Sequence, residues 1–241
     1  MALVVLEGLH ALKHARRFGA DIAQILTDDL GRALAVADQV APELRPVLAD
    51  QARVVSRAEL RQMATGPIPT HVLALATRPV WAFADTLPRP DRPTVLLDDP
   101  RNSKNLGAVV RVAAAVGAAG LLVNGPADIC DPMAVRGAAG LQWALPWWGS
   151  PDLPDRLDQA RSTADFELIG LDAAADRFDP ATVPGPAVFV FGSERAGLSD
   201  PIRSRCDHIV ALPMRPAVSS LNLATSVAAV LYLCQYARAT G

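Results

Sequence analysis

Five short apolar runs, "TVLLDD", "GLLVNG", "FELIGL", "AVFVFG" and "HIVALPM", follow one another between residues 94 and 214, separated by segments long enough for helices. They are apolar at nearly every position rather than at alternate ones, as strands buried on both faces are. Strands of this kind alternating with helices build a parallel sheet covered on its two sides. The expected fold class is therefore α/β. In such sheets ligands gather outside the carboxyl ends of the strands, and the unusual residues of this chain fall at those ends.

The first part of the chain carries a weaker version of the same alternation. "GLHALKHARRFG" has helical spacing, "DIAQILTDD" holds a short apolar run, and "RALAVADQVAPELRPVLAD" reads as helix interrupted at Pro42 and Pro46. "ARVVS" and "HVLALAT" read as strands, and "RAELRQMAT" as a helix with Ser56 as its N-cap. The stretch "TLPRPDRPT", dense in proline and charge, marks a linker. The expected organisation is a small α/β module over 1–86, a linker over 87–93 and a larger α/β domain over 94–241.

Half of the 241 residues are apolar, enough for two cores, yet no apolar run reaches the roughly 20 residues that span a bilayer. "MALVVLEGLH" has neither a basic leading region nor a cleavage-like site, so no signal peptide is expected. Cys130, Cys206 and Cys234 are odd in number, far apart and without a clustered histidine. That favours a reducing cytoplasm and buried thiols over disulfides or zinc. Net charge is −2, but residues 152–179 hold eight acids against three arginines, which leaves the rest of the chain at +3. Only Lys13 and Lys104 among the basic residues are lysines; arginine suits planar, bidentate phosphate contacts.

Common catalytic signatures are missing. There is no G-x-G-x-x-G after a strand, no P-loop, no H-E-x-x-H, and "FGSERAG" lacks the G-x-S-x-G spacing. His10, His14, His71 and His208 stand near no obvious nucleophile, so a hydrolytic α/β domain has little to work with.

Three stretches remain. In "DDPRNSKNLGAVVR", Asn105 stands at a helix start, Gly107 in its first turn and Arg111 two turns on. The neighbours of Arg111 along the helix are Gly107, Ala108, Ala114 and Ala115, so its own helix offers it no partner. Asn105 alone would pass for an N-cap, and Arg111 alone for a surface arginine. "VFVFGSERAGLSD" places Gly192, Glu194 and Gly197 in the loop after a strand, where glycines let backbone approach a ligand. "IVALPMRPAVSSLNLATS" gives a strand, a proline-stiffened turn and a helix opening near Ser219 and Ser220, either an acceptable N-cap.

In this order the three stretches resemble the motifs of the SpoU (TrmH-type) branch of the SPOUT RNA methyltransferases. Asn-x-Gly-x-x-x-Arg matches Asn105, Gly107 and Arg111; Gly-x-Glu-x-x-Gly-Leu matches Gly192, Glu194, Gly197 and Leu198; a Pro-Met turn with Ser-Leu-Asn matches Pro213, Met214, Ser220, Leu221 and Asn222. The resemblance covers 94–241, and the first 85 residues resemble the RNA-binding module that precedes this domain in rRNA-modifying members. Two departures stand out: Pro216 where the family has glycine, and Val72-Leu73 rather than Gln-Gly after His71.

The resemblance implies a SPOUT domain with a deep trefoil knot, S-adenosylmethionine as methyl donor without a metal, methylation of a ribose 2′-OH, and a homodimer. It implies donor contacts at Gly192, Leu212, Met214 and Leu221, and catalytic or positioning roles for Arg111, Asn105, Glu194, Ser220 and Asn222. A guanidinium with a pKa above roughly 12 stays protonated, which suits Arg111 to fixing a phosphate and stabilising a developing alkoxide. Its side chain is expected to point into the hollow formed by the other two motifs. Scattered cations, Arg16, Arg17, Arg101, Lys104, Arg136, Arg195 and Arg215, are candidates for RNA contact. The favoured substrate is ribosomal RNA; transfer RNA, or a catalytically idle SPOUT-fold RNA-binding protein, are the alternatives. The C-terminal helix, apolar nearly all round, is expected to face both its own sheet and a second subunit.

Overall fold

The computed structural model describes residues 2–68, 70–183 and 185–240. The chain divides into two compact units: one runs to Val80 and takes in Ile129–Ala144, the other comprises Trp81–Asp128 and Leu145 onward.

The first unit begins with β1 (Leu3–Glu7), α1 (Gly8–Arg17), β2 (Ile22–Thr27), α2 (Leu30–Val40), α3 (Arg45–Gln51), β3 (Ala52–Val54), α4 (Arg57–Met63) and β4 (Val72–Thr77). Its sheet runs β1-β4-β2-β3, with β4 antiparallel to both neighbours and β3 parallel to β2. The interruption expected at the prolines is present: α2 ends at Val40, Pro42–Leu44 forms a single tight turn, and α3 carries Pro46 in its first turn, where a missing N–H costs nothing. Ser56 caps α4 in a reciprocal box with Glu59. Sequence reasoning missed β1, whose run LVVLE passes directly into α1 at Gly8, with φ +86°.

The second unit continues with β5 (Thr94–Asp98), α5 (Ser103–Val116) and β6 (Gly120–Asn124). The chain then contributes α6 (Pro132–Ala138) to the first unit, where His14 Nδ1 donates to Ala139 O at 2.9 Å. It returns with β7 (Trp147–Gly149), α7 (Leu153–Arg161), β8 (Glu167–Arg177), β9 (Ala187–Phe191), α8 (Asp200–Arg203), β10 (His208–Ala211) and α9 (Leu223–Thr240). The sheet order is β10-β8-β9-β5-β6-β7, and every neighbouring pair is parallel. All five residues of β5 and all five of β9 are buried, which is why their sequences show no alternation. Leu96, Leu122, Leu168, Val188 and Val190 meet Leu153, Leu157, Phe166, Leu198 and Ile202 in the core of this unit.

The proline-rich stretch is structured as part of the second unit. Arg89 and Arg92 exchange backbone hydrogen bonds, and Arg238 donates to Asp91 O at 2.7 Å. The division between units therefore falls at Val80, ahead of that stretch. α9 packs against α5. Its buried residues, Leu223, Val227, Val230, Leu231 and Cys234, form a single stripe, while Tyr232, Leu233 and Tyr236 are exposed on another face.

Candidate active site

The first motif sits at the start of α5. Asn102, not Asn105, caps this helix: its Oδ1 accepts from the backbone N–H of Lys104 at 2.9 Å and of Asn105 at 3.3 Å. Asn105 thus lies inside the first turn with its side chain free for distant partners. Its Nδ2 donates to Glu194 Oε1 at 2.7 Å, and its Oδ1 accepts from Asn222 Nδ2 at 3.0 Å. Asn222 in turn caps α9, its Oδ1 accepting from Ala224 N at 3.0 Å and Thr225 N at 3.4 Å. The expected caps Ser219 and Ser220 precede this point and do not serve. One asparagine therefore holds the second and third motifs together.

The loop after β9 is folded tightly on itself. Ser193 and Gly197 exchange two backbone hydrogen bonds of 3.0 Å, and Gly197 has a φ of +69°. A Cβ on Gly192 would lie 2.1 Å from the carbonyl carbon of Gly197, so only glycine fits. The far end of the loop is tied down by Asp98, a carboxylate only 1% exposed at the end of β5. Asp98 Oδ2 accepts from Ser199 N at 2.6 Å and Oδ1 from Asn124 Nδ2 at 2.7 Å. Sequence reasoning took "TVLLDD" as an apolar strand and missed this role of its first acid. The available signal was an acid closing a wholly apolar run, since a buried carboxylate must be partnered.

The loop after β10 turns at Arg215–Val218, with a 3.1 Å hydrogen bond from Val218 N to Arg215 O and Ala217 at φ +70°. Pro216 occupies the turn position its fixed φ suits. The two loops and the start of α9 enclose a cavity of about 640 Å³. Gly192, Glu194, Arg195, Leu212, Met214, Ser220, Leu221 and Asn222 all line it, together with Leu171, Asp172 and Arg203. Asp172 and Arg203 form an ion pair on the wall. The Ala174 N–H and then Arg203 hold the Asp172 carboxyl below the usual aspartate range.

Arg111 is not where it was expected. It is exposed, it does not line the cavity, and among the described residues it makes no hydrogen bond or ion pair. The helix explains this: six residues at 3.6 per turn set Arg111 about 120° round from Asn105. Of the candidate RNA cations, Arg16, Lys104, Arg195 and Arg215 are exposed. Arg17 lies 3.4 Å from Glu43, and Arg101 pairs with Asp99 at 2.5 Å. Arg136 has a structural partner instead, donating to Glu7 Oε2 at 3.1 Å and to Pro67 O at 3.2 Å.

Burial pushes the thiols of Cys206 and Cys234 up to about 11, with Asp207 adding to the effect at Cys206. Among the described residues no group of three or more histidines, cysteines or acids is arranged to hold a metal, and no helix is long and apolar enough to cross a membrane.

Comparison with known proteins agrees with this geometry. The profile of the SpoU rRNA Methylase family matches residues 92–232. A 23S rRNA (uridine(2479)-2′-O)-methyltransferase of Streptomyces viridochromogenes is 36% identical over 72% of this chain, which spans 62% of that relative's length. An uncharacterised tRNA/rRNA methyltransferase of Mycolicibacterium paratuberculosis is 32% identical over 91% of this chain and 69% of its own. The crystal structure of the SpoU methyltransferase AviRb from Streptomyces viridochromogenes, in complex with the cofactor AdoMet, superposes with a TM-score of 0.82 at 28% identity. It covers 98% of this chain and 91% of its own. Three motifs joined through Asn105 and a profile match over more than half of the residues lead to one statement: the chain belongs to the SpoU rRNA methylase family.

Proposed function

We propose that this protein transfers the methyl group of S-adenosylmethionine to a ribose 2′-OH in RNA, with ribosomal RNA favoured over transfer RNA. The observation that carries the reading is the Glu194–Asn105–Asn222 relay, which ties the first motif to the cavity that the other two line. The 23S rRNA activity of the 36%-identical relative supports the choice of RNA.

The cavity fits the donor in size and chemistry. At about 640 Å³ it falls within the range of small-molecule sites. Leu212, Met214 and Leu221 offer apolar walls, and the loop at Gly192 offers backbone groups, for a molecule part heterocycle and part amino acid. When bound, S-adenosylmethionine supplies an electrophilic methyl on a cationic sulfur, a leaving group that needs no metal. The chain's own work is alignment. Glu194 and Asn222, fixed through Asn105, and Ser220 beside them orient the ribose, so the hydroxyl meets the methyl in line. Arg111 holds a phosphate through its planar guanidinium and stabilises alkoxide character on the 2′-oxygen. Its exposure in the single chain means that RNA or a second copy must complete its surroundings.

On this reading the second unit carries a knotted SPOUT catalytic domain and the first unit recognises RNA. Tyr232, Leu233 and Tyr236, exposed on α9, are covered by a second copy in a homodimer. The protein works in the cytoplasm, where its thiols stay reduced. Methyl transfer from radiolabelled S-adenosylmethionine to ribosomal RNA tests the reading. Arg111→Ala is expected to abolish transfer while donor binding by calorimetry stays at the wild-type value. A variant keeping half the wild-type rate removes Arg111 from the mechanism, and a wild-type protein that binds RNA but no donor is the idle alternative.

A further inference from the structure

The first unit holds a second cavity, of about 560 Å³, whose lining includes Asp28, Arg32, Arg57, Arg61, Leu60 and His71. Three of these are arginines from two different helices, α2 and α4. Among the described residues neither Arg32 nor Arg61 has a carboxylate partner, and Arg57 lies 3.9 Å from the single lining acid, Asp28. Asp28 is itself committed: its side chain is 8% exposed and accepts from His71 Nδ1 at 2.6 Å. The nearby Glu59 is used in the α4 cap. The cavity therefore presents a surplus of positive charge beside an apolar patch.

The walls are built rather than incidental. Glu7, with its side chain 4% exposed, accepts from Thr65 N at 2.5 Å and Thr65 Oγ1 at 2.7 Å. Arg136 bridges Glu7 to Pro67 O, so the segment Thr65–Pro67 that forms one side is clamped from behind. A Cβ on Gly66 would lie 2.7 Å from Nη1 of Arg136, so a larger residue there would make the guanidinium shift. On the opposite side His71 adopts φ +56°, a conformation that a non-glycine residue keeps only when its surroundings impose it. Its N–H to Ile68 O at 3.1 Å and its ring to Asp28 do so.

The geometry points to a binding site for an unpaired RNA nucleotide in the first unit, separate from the methyl-transfer cavity. Arg32, Arg57 and Arg61 take the phosphates, while Pro67 and the His71 ring receive the base. Concavity is what selects an unpaired nucleotide: a duplex presents its phosphates on a convex surface, whereas a splayed base can enter and stack. The inference rests on the RNA-modifying reading for its ligand class, but its test does not use methylation.

The test measures fluorescence anisotropy of a labelled ten-nucleotide oligouridine against the full-length protein across a salt series. R32Q/R61Q is expected to weaken binding about tenfold and to flatten the slope of log affinity against log salt by about 1.4, two phosphate contacts at ~0.7 each for a single strand. A labelled duplex of the same length is expected to lose less than threefold. Donor binding by R32Q/R61Q, read by calorimetry, is expected to be unchanged. Wild-type affinity and slope in the variant overturn the site, and equal losses for duplex and single strand overturn its preference for an unpaired nucleotide. If wild-type protein binds no donor but R32Q/R61Q still loses the oligonucleotide, the methyltransfer reading fails and this site stands.

Discussion

Asn222 donates its side-chain amide to Oδ1 of Asn105 across 117 residues of chain, and the same Asn222 caps α9 with its carbonyl oxygen. One side chain thus does two separable things: it starts a helix, and it fixes the residue that positions Glu194.

Those two roles come apart by substitution. Asn222→Asp keeps an oxygen for the cap but has no amide to give Asn105. Its melting temperature is expected to stay near wild type while the methylation rate drops about tenfold or more. Asn222→Ala loses the cap as well, at about 1 kcal/mol. Melting curves and single-turnover methylation of the two variants together check the division.

Asp98 is expected to matter for both stability and donor binding. Asp98→Ala leaves the N–H of Ser199 and the amide of Asn124 without their buried acceptor, a loss of about 3 kcal/mol. Because Ser199 ends the Gly192 loop, donor affinity should fall too. Denaturant unfolding and calorimetry measure the two effects, and a variant with wild-type donor affinity would show that the loop holds its shape without this anchor.

Ala217 occupies a left-handed conformation in the turn that Pro216 begins. Ala217→Gly is expected to raise stability by about 0.5 kcal/mol, relief of the Cβ clash being partly offset by the greater freedom of an unfolded glycine. The urea midpoint should rise with an unchanged slope.

Acid should act through Asp207. Burial opposes its charge, but the Leu168 N–H and Arg161 outweigh that and hold the carboxyl below the ordinary aspartate value of 3.8. A carboxyl lowered in the folded state stabilises fully above that ordinary value, and the contribution is lost as pH falls through the lower folded one. Asp207→Asn is therefore expected to be less stable than wild type at pH 7 and to show a flatter decline below pH 4, followed by thermal melts.

Much of the second unit was legible because its physics is local. Five apolar runs became five of its six parallel strands, the short β7 being missed, and in the first unit the cap of α4 was readable from Ser56. The site was legible as a set of motifs, and less so as geometry. Asn102 and Asn105 are equally good caps by type, and only the distant partners Glu194 and Asn222 decide which is spare. Arg136 looked like a surface cation because nothing near it in sequence announces Glu7, 129 residues away. The direction of Arg111 could have been read from the spacing, since six residues at 3.6 per turn set it about 120° away from Asn105, a phase that the motif match passes over.

The excursion of Ile129–Ala144 has a practical consequence for how this architecture can be recombined. The backbone passes between the units three times, after Val80, after Asp128 and after Ala144, so no single cut yields two whole pieces. Grafting the first unit of a relative onto this second unit takes two inserts, each carrying the partner surface of the other. A graft of residues 2–80 alone would pair a foreign α1 with the native Ala139 and Gly140, whose neighbours His14 and Ala11 it had replaced.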